Sequence, residues 1–254
     1  MFISNLNRLL EGFDLVLKRS SYSPYLEFLD RLKSSQIKID VIWDVGAFRG
    51  EWTKQTKKYL PGRYILFEPN DQHNLFLNNT SGEIHNMILG KEDSDVNFFS
   101  HGGTGDSMYP EFDESLKVRS DFRSARCYKI DSLIKDHQNF PPPDFLKLDV
   151  QGAELDVLNG ATETIKLVKV ILIECPIVNY NLGSPNIHEY LEFMFRNDFV
   201  PFFVTEIHRL QQIVTQIDIA FIAENQFELK IKSLSDVGFW ASTKLKYRDS
   251  TKYG

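Results

Sequence analysis

Two hydrophobic patterns alternate along the chain. Short apolar, largely β-branched runs end in glycine, proline or an acid, and between them lie stretches whose apolar residues recur at helical spacing. The first pattern marks strands buried on both faces, the second amphipathic helices. Ile39 to Val45 is such a run, closed by Gly46, and Glu51 to Tyr59 follows as a helix stopped by Pro61-Gly62. Arg63 to Phe67 then reads as a strand, Asp71 to Asn79 as a helix and Ile84 to Leu89 as a third strand. This rhythm predicts an open, mostly parallel α/β sheet with helices on both faces.

Upstream, Phe2, Ile3, Leu6, Leu9, Leu10, Phe13, Val16 and Leu17 recur at helical spacing, and Pro24 to Lys33 predicts a second helix. Residues 1–38 are therefore expected to form a helical segment packed on a domain spanning 39–240, with 241–254 a frayed polar tail. In the middle, Val96 to Ser100 reads as a strand paired with Cys127 to Ile130, and His101 to Ser107 (HGGTGDS) as a glycine-rich loop. A stiff Pro141-Pro142-Pro143 leads into the strand Phe145 to Val150, a helix from Ala153 to Lys166 and the strand Val168 to Glu174. Ser184-Pro185 opens a helix to about Asn197, serine capping it and proline fitting its first turn. Pro201 to Ile207 and Asp218 to Ala223 close the domain as a hairpin.

Composition narrows the function classes. The formal net charge of -6 argues against non-specific nucleic-acid binding, which needs a basic face. Two cysteines, Cys127 and Cys175, make no disulfide framework and no zinc spacing, as expected of a protein in a reducing cytoplasm. No apolar run approaches the roughly 20 residues of a membrane span, and the first residues lack a signal-peptide pattern. Six histidines (His73, His85, His101, His137, His188 and His208) show no metal-ligand spacing. His101 borders the glycine-rich loop.

Three motifs carry candidate chemistry. Asp44-Val-Gly46-Ala47-Phe48-Arg-Gly50 joins a strand to a helix, where glycines allow a tight turn and close approach to a ligand. It is not the GxGxxG of dinucleotide sites. Asp44 would repel a pyrophosphate but attract a ligand bearing ammonium and sulfonium charges, which fits S-adenosylmethionine (SAM). A plain glycine turn with an aspartate capping the next helix is the alternative. Glu68 ends the second strand, where nucleoside-binding sheets hold ribose hydroxyls. In the stretch FLKLDVQGAE, Lys147 and Asp149 share a strand face, and Asp149 falls at the carboxyl end of its strand. Glu174 ends the next strand in the same way. A Lys–Asp pair can also be purely structural, and Glu154 is explained by its place at a helix start.

Together DVGAFRG, FEPN, KLDVQGAELDVLNGA and ILIE resemble the FkbM family of SAM-dependent methyltransferases, over about Val41 to Glu174. The resemblance implies a Rossmann-like class I methyltransferase fold: a seven-stranded sheet, parallel except for its last strand. It further implies O-methylation of sugar or natural-product hydroxyls. By motif match, Asp44, Gly46, Ala47 and Gly50, with Phe48 in the same loop, would hold the methionine part of SAM, and Glu68 the ribose. Asn86 would fall near the adenine, and Asp149 and Gln151 near the transferred methyl. Ser100 to Arg126 corresponds to the family's variable region.

The expected activity is thus SAM-dependent O-methylation of a sugar, glycan or related small molecule. Asp149 would form the polar centre, with Lys147 orienting it or Glu174 assisting and His101 as reserve base. Hard oxygen ligands on Asp149 and Glu174 would also suit a bridging Mg²⁺. Phe98, Phe99, Tyr109, Phe112 and Phe122 suit sugar faces, but such residues equally fill a core. Two rivals stay open: a SAM-binding scaffold without catalysis, and a nucleotide-dependent oxidoreductase, against which the missing GxGxxG counts.

Overall fold

The structure, a computed structural model, describes residues 23–226 apart from 36, 101–102, 112–120 and 138. The helix predicted over residues 2–17, His101 and the tail lie outside the described residues. Ser23 caps α1 (Pro24–Ser34), its side chain accepting from the Leu26 N–H. β1 (Val41–Val45), α2 (Glu51–Thr56), β2 (Arg63–Phe67), α3 (Asn74–Leu77) and β3 (Glu83–His85) follow. Next come β4 (Ile88–Leu89), β5 (Asp95–Ser100), β6 (Asp121–Tyr128) and α4 (Ile130–Asp136). β7 (Phe145–Leu148), α5 (Glu154–Asn159), β8 (Val170–Pro176) and α6 (Ile187–Arg196) precede the hairpin β9 (Phe199–Leu210) and β10 (Ile213–Ala223).

Seven strands form one sheet in the order β3-β2-β1-β7-β8-β10-β9, with β10 antiparallel to both its neighbours and every other pair parallel. This is the sheet expected of a class I methyltransferase. The strand order reverses between β1 and β7: the chain steps outward to β2 and β3, then crosses back. Open α/β sheets bind ligands at such a switch, outside the carboxyl ends of the strands. There the turn after β1 meets the turn after β7.

Both sheet faces are covered, which is why the central strands read as continuous apolar runs. Trp43, Val45, Phe67, Leu146, Leu148, Ile171 and Ile173 pack against Leu133 of α4, Val157 and Leu158 of α5, and Tyr190 and Met194 of α6. On the opposite face Ile42, Tyr64, Leu66, Phe145 and Leu172 meet Phe28, Leu29 and Leu32 of α1. Cys127 and Cys175 are buried free thiols. No helix among the described residues is long and apolar enough to cross a membrane.

Four expectations change in detail. The run Ile84 to Leu89 splits, because a bond from Met87 N–H to the His85 carbonyl turns the chain; β4 then joins a separate sheet in the order β4-β6-β5. Cys127 pairs with Ile88, while β5 pairs with the earlier part of β6, from Asp121 to Arg126. The helix predicted to Lys166 ends at Asn159, since Gly160 abuts Gly90 so closely that a Cβ would fall 2.0 Å from its carbonyl oxygen. The Asp131 carboxylate then accepts the N–H groups of Glu163 and Thr164 and starts a separate 3-10 turn, Thr164–Leu167. The closing hairpin is longer than the hydrophobic pattern suggests, because its outer half, where exposed Ile207, Leu210 and Ile213 mix with polar residues, is held by backbone pairing and not by burial.

Phe28 is fully buried, edge-on to Phe145 and Phe202. Phe28→Ala is expected to cost about 3–5 kcal/mol, read as a lower urea midpoint at unchanged slope. A loss below about 1 kcal/mol would show that α1 is not part of the cooperative fold.

Candidate functional site

The first half of the site is the turn after β1. Gly46 has φ +75°, and a Cβ there would lie 1.8 Å from the Asp149 carbonyl oxygen, so only glycine lets the two strand ends approach. The N–H groups of Gly46 and Ala47 donate to the Phe67 carbonyl at 2.9 and 3.1 Å. Phe48, with φ +46°, donates its N–H to Glu68 Oε2 at 2.8 Å, and Asn70 N–H donates to Oε1 at 2.9 Å. Burial pushes the Glu68 carboxyl up to about 7 despite these two donors. Gly50 caps α2 and lies against Thr80 and Leu77.

Lys147 ties this turn to β7. Its ammonium donates to the Gly46 carbonyl at 2.7 Å and stands 3.0 Å from Asp44 Oδ1 and 3.2 Å from Asp149 Oδ2. Burial opposes its charge, but Asp149 and Asp44 outweigh that and hold its pKa above the ordinary value. Asp44 is wholly buried and also accepts from Thr53 Oγ1 at 2.6 Å. Burial raises its pKa, with Lys147 and Thr53 pulling the other way. Asp44 therefore does not guard the loop mouth as the sequence suggested; it is the buried counter-ion of Lys147.

The second half is the turn after β7. Gln151 Nε2 donates to Asp149 Oδ1 at 3.0 Å and to Glu174 Oε1 at 2.9 Å. Burial works against ionising Asp149, yet Lys147 and the surrounding hydrogen bonds pull it down to about 2. Glu174 moves the opposite way, well above the usual carboxylate range, through burial and then the neighbouring Asp149 charge. Gln151 thus bridges the two carboxyl groups, which also hydrogen-bond each other, so the pair satisfies itself and does not stand open for a bridging Mg²⁺. Glu154 accepts from Val150 and Gly152 N–H groups and from Tyr190 Oη, and so braces the turn.

Two cavities meet here. The first, about 400 Å³, is lined by Gly46, Phe48, Glu68, Met87, Ile88 and Leu89, and by Thr104, Asp106 and Ser107 of the glycine-rich loop. Ser107 Oγ holds that loop down by donating to the Gln151 carbonyl at 2.8 Å. The second, about 800 Å³, is lined by Glu51, Trp52, Gln55, Lys147, Thr205, Glu206, Arg209 and Asp218. Asp149, Glu174 and His208 line both.

Of the residues singled out from sequence, Gly46, Phe48, Glu68, Asp149, Gln151 and Glu174 come together around the first cavity, and Lys147 reaches the second. Asp44, Ala47, Gly50 and Asn86 line neither. Asn86 lies just after β3, donates to the Glu68 carbonyl at 2.8 Å and pairs with Asn74; its neighbour Met87 faces the cavity. Phe98 packs with Ile88 and Cys127 and lines the first cavity, and Tyr109 Oη donates to Asp156. Asp106, Ser107, Met87, His208 and Asp218 had no assigned role. The glycine-rich loop was the available signal for the first two; nothing local marks His208 or Asp218, whose neighbours are set by strand pairing.

Fold and site together define a class I, SAM-dependent methyltransferase. The chain belongs to the FkbM methyltransferase family: the model of the methyltransferase FkbM domain matches residues 44–212, more than half of the chain. No curated protein matches it. Among solved structures, it is similar to the O-methyltransferase TomG from Streptomyces achromogenes in complex with SAM, at 14% identity over 87% of this chain and 89% of that one, TM-score 0.44. An O-methyltransferase from Bacillus cereus shows 12% identity over 87% and 89%, TM-score 0.44. Precorrin-6y C5,15-methyltransferase from Geobacter metallireducens shows 14% identity over 77% and 87%, TM-score 0.38. These distant likenesses say nothing of substrate.

Lys147→Met keeps the side chain's length but strands Asp44 in the interior. It is expected to cost about 3–5 kcal/mol in urea unfolding near neutral pH. A loss under about 1 kcal/mol would show that Asp44 takes up a proton instead of needing the ammonium.

Proposed function

We propose that this chain transfers the methyl group of SAM to a hydroxyl of a sugar or glycan, with SAM in the first cavity and the acceptor in the second. One observation carries the reading. Among the described residues no lysine or arginine lines the first cavity, whereas Glu68, Asp106, Asp149 and Glu174 do. Such a lining suits a cationic sulfonium and opposes a pyrophosphate, which also counts against a dinucleotide oxidoreductase. Gly46 gives close approach, Glu68 still has lone pairs for a ribose diol, and Met87, Ile88 and Leu89 offer apolar cover for a base. Asp44, Ala47 and Gly50 shape the turn from behind, and Asn86 supports Glu68.

SAM, when bound, supplies a methyl carbon whose bond to sulfur breaks, the electron pair staying on sulfur, as the acceptor oxygen bonds to that carbon. The protein's main task is alignment, which can be worth about 7–11 kcal/mol. Asp149, held ionised by Lys147, favours a positively charged donor but is a weak base. Glu174 is the stronger base of the two when ionised, because burial and the Asp149 charge raise its pKa. The second cavity is lined by the hydrogen-bonding side chains of Glu51, Gln55 and Arg209 together with the half-buried Trp52. A polyhydroxylated acceptor satisfies these groups, whereas a lipid would leave them unpaired.

The direct test is calorimetry with SAM, S-adenosylhomocysteine (SAH) and NAD, followed by a mass-spectrometric search for methylated products among oligosaccharides and nucleotide sugars. Saturable binding of SAM and SAH but not NAD, with methylation of one sugar class, is expected; no heat from SAM or SAH would end the reading. With the acceptor in hand, Glu174→Gln should lower kcat by about 10²–10⁴-fold with SAH affinity little changed. Parent turnover should fall as pH drops through the raised Glu174 pKa, since a proton acceptor must be unprotonated.

Glu68 gives a second pH signature. Its carboxyl titrates at about 7, and ribose hydroxyls prefer the ionised form. SAH affinity should therefore be flat above about pH 8 and weaken below about pH 7, by up to about tenfold per unit. Glu68→Gln should bind more weakly at high pH and lose this dependence. A parent profile without any slope would remove Glu68 from the cofactor contact.

A further inference from the structure

Three side chains of the closing hairpin converge on the second cavity, and one of them, His208, lines the first as well. Glu206 and His208 are two residues apart on β9, and Asp218 of β10 pairs with Glu206 across the strands. His208 Nε2 is 3.5 Å from Asp218 Oδ1 and 4.0 Å from Glu206 Oε1, and one ligand atom from each residue lies within 4.8 Å of the others. Donors bound at about 2.0–2.2 Å to a single ion stand about 3–3.5 Å apart, so small side-chain rotations bring this trio to coordinating distance. Asp218 Oδ1 is buried and makes no hydrogen bond of normal geometry, His208 Nε2 at 3.5 Å being the imidazole nitrogen that faces it, while Gln216 hydrogen-bonds the same carboxyl group. A buried carboxylate oxygen so weakly paired can take a cation as its partner. Glu174 faces Asp218 across β8 and adds to the negative field, and Lys147 is already committed to Asp44 and Asp149. Arg209 also lines the second cavity.

We propose that Glu206, His208 and Asp218 form a binding site for one divalent first-row metal ion, of the Zn²⁺ or Mn²⁺ type. Two carboxylates and an imidazole are a mixed donor set that suits these ions better than Ca²⁺ or Mg²⁺, which prefer oxygen alone. The site is distinct from the Asp149–Glu174 pair, which Gln151 bridges. Three protein ligands leave coordination positions open. Their use rests on the methyltransferase reading above: an acceptor hydroxyl held there would be positioned beside Asp149 and Glu174 and made more acidic.

The test needs no acceptor. The full chain, stripped with chelator, is titrated calorimetrically with ZnCl₂ and MnCl₂ in separate runs, and SAH binding is measured alongside. One-to-one binding of at least one ion is expected, weakened at least about tenfold by Asp218→Asn and by His208→Ala. Glu192→Gln, a surface change on α6, should leave it unaltered. Should either change unfold the chain, Glu206→Gln at the exposed corner carries the same expectation. No saturable uptake of either ion by the parent, or parent-like affinity in every folded ligand variant, overturns the proposal and leaves His208 as an ion-pair partner of the two acids. Metal uptake without SAH binding would refute the methyltransferase reading and leave this site standing; SAH binding without uptake would do the reverse.

Discussion

The site is organised by one buried cation. Lys147 projects from β7 into the seam with β1, where its ammonium meets the Asp44 and Asp149 carboxylates and the Gly46 carbonyl. Without it, two carboxylates would share a desolvated corner and neither strand end could keep its present place. With it, the turn after β1 closes onto the turn after β7 until backbone touches backbone, a contact that only a glycine at position 46 permits. The crevice at the topological switch is thus clamped electrostatically from behind, and its front is left to the ligand.

The same charge sets an order of acidity along the carboxyl ends of the strands. Asp149, next to the ammonium, is held at about 2; Glu174, one strand further, is raised by burial and by Asp149; Asp218, on the following strand, is pushed up to about 7 by burial and again by Asp149. Neighbouring carboxylates that cannot all ionise together divide the work: Asp149 stays charged, and the other two hold their protons more tightly. This row stands where two cavities join, the first lined by no lysine or arginine among the described residues and the second rich in hydrogen-bonding groups.

Much of this was legible in the linear chain. The apolar runs and their punctuation overlapped all seven main-sheet strands, five of them to within three residues at each end. Gly46, Glu68, Lys147, Asp149 and Glu174 stood out because glycine turns and acids at strand ends are local features. The failures were of one kind. Asp44 read as a ligand-facing carboxylate because its sequence neighbours are a loop; its spatial neighbour is Lys147, far along the chain. Ile84 to Leu89 read as one strand because its apolar run is unbroken but for His85 and Asn86, and only the second sheet shows why it is two. His208 and Asp218 carried no signal at all.

What the amino-acid order determined by itself was the set of elements, their sequence and the residues able to carry chemistry, since helix and strand periods and turn preferences act over a few neighbouring positions. The tertiary structure decided which acid is neutralised, which is raised and which side chains share a wall. Those outcomes follow from desolvation and from charges brought within 3 to 4 Å by strand pairing between distant segments, and such distances exist only once the sheet has assembled.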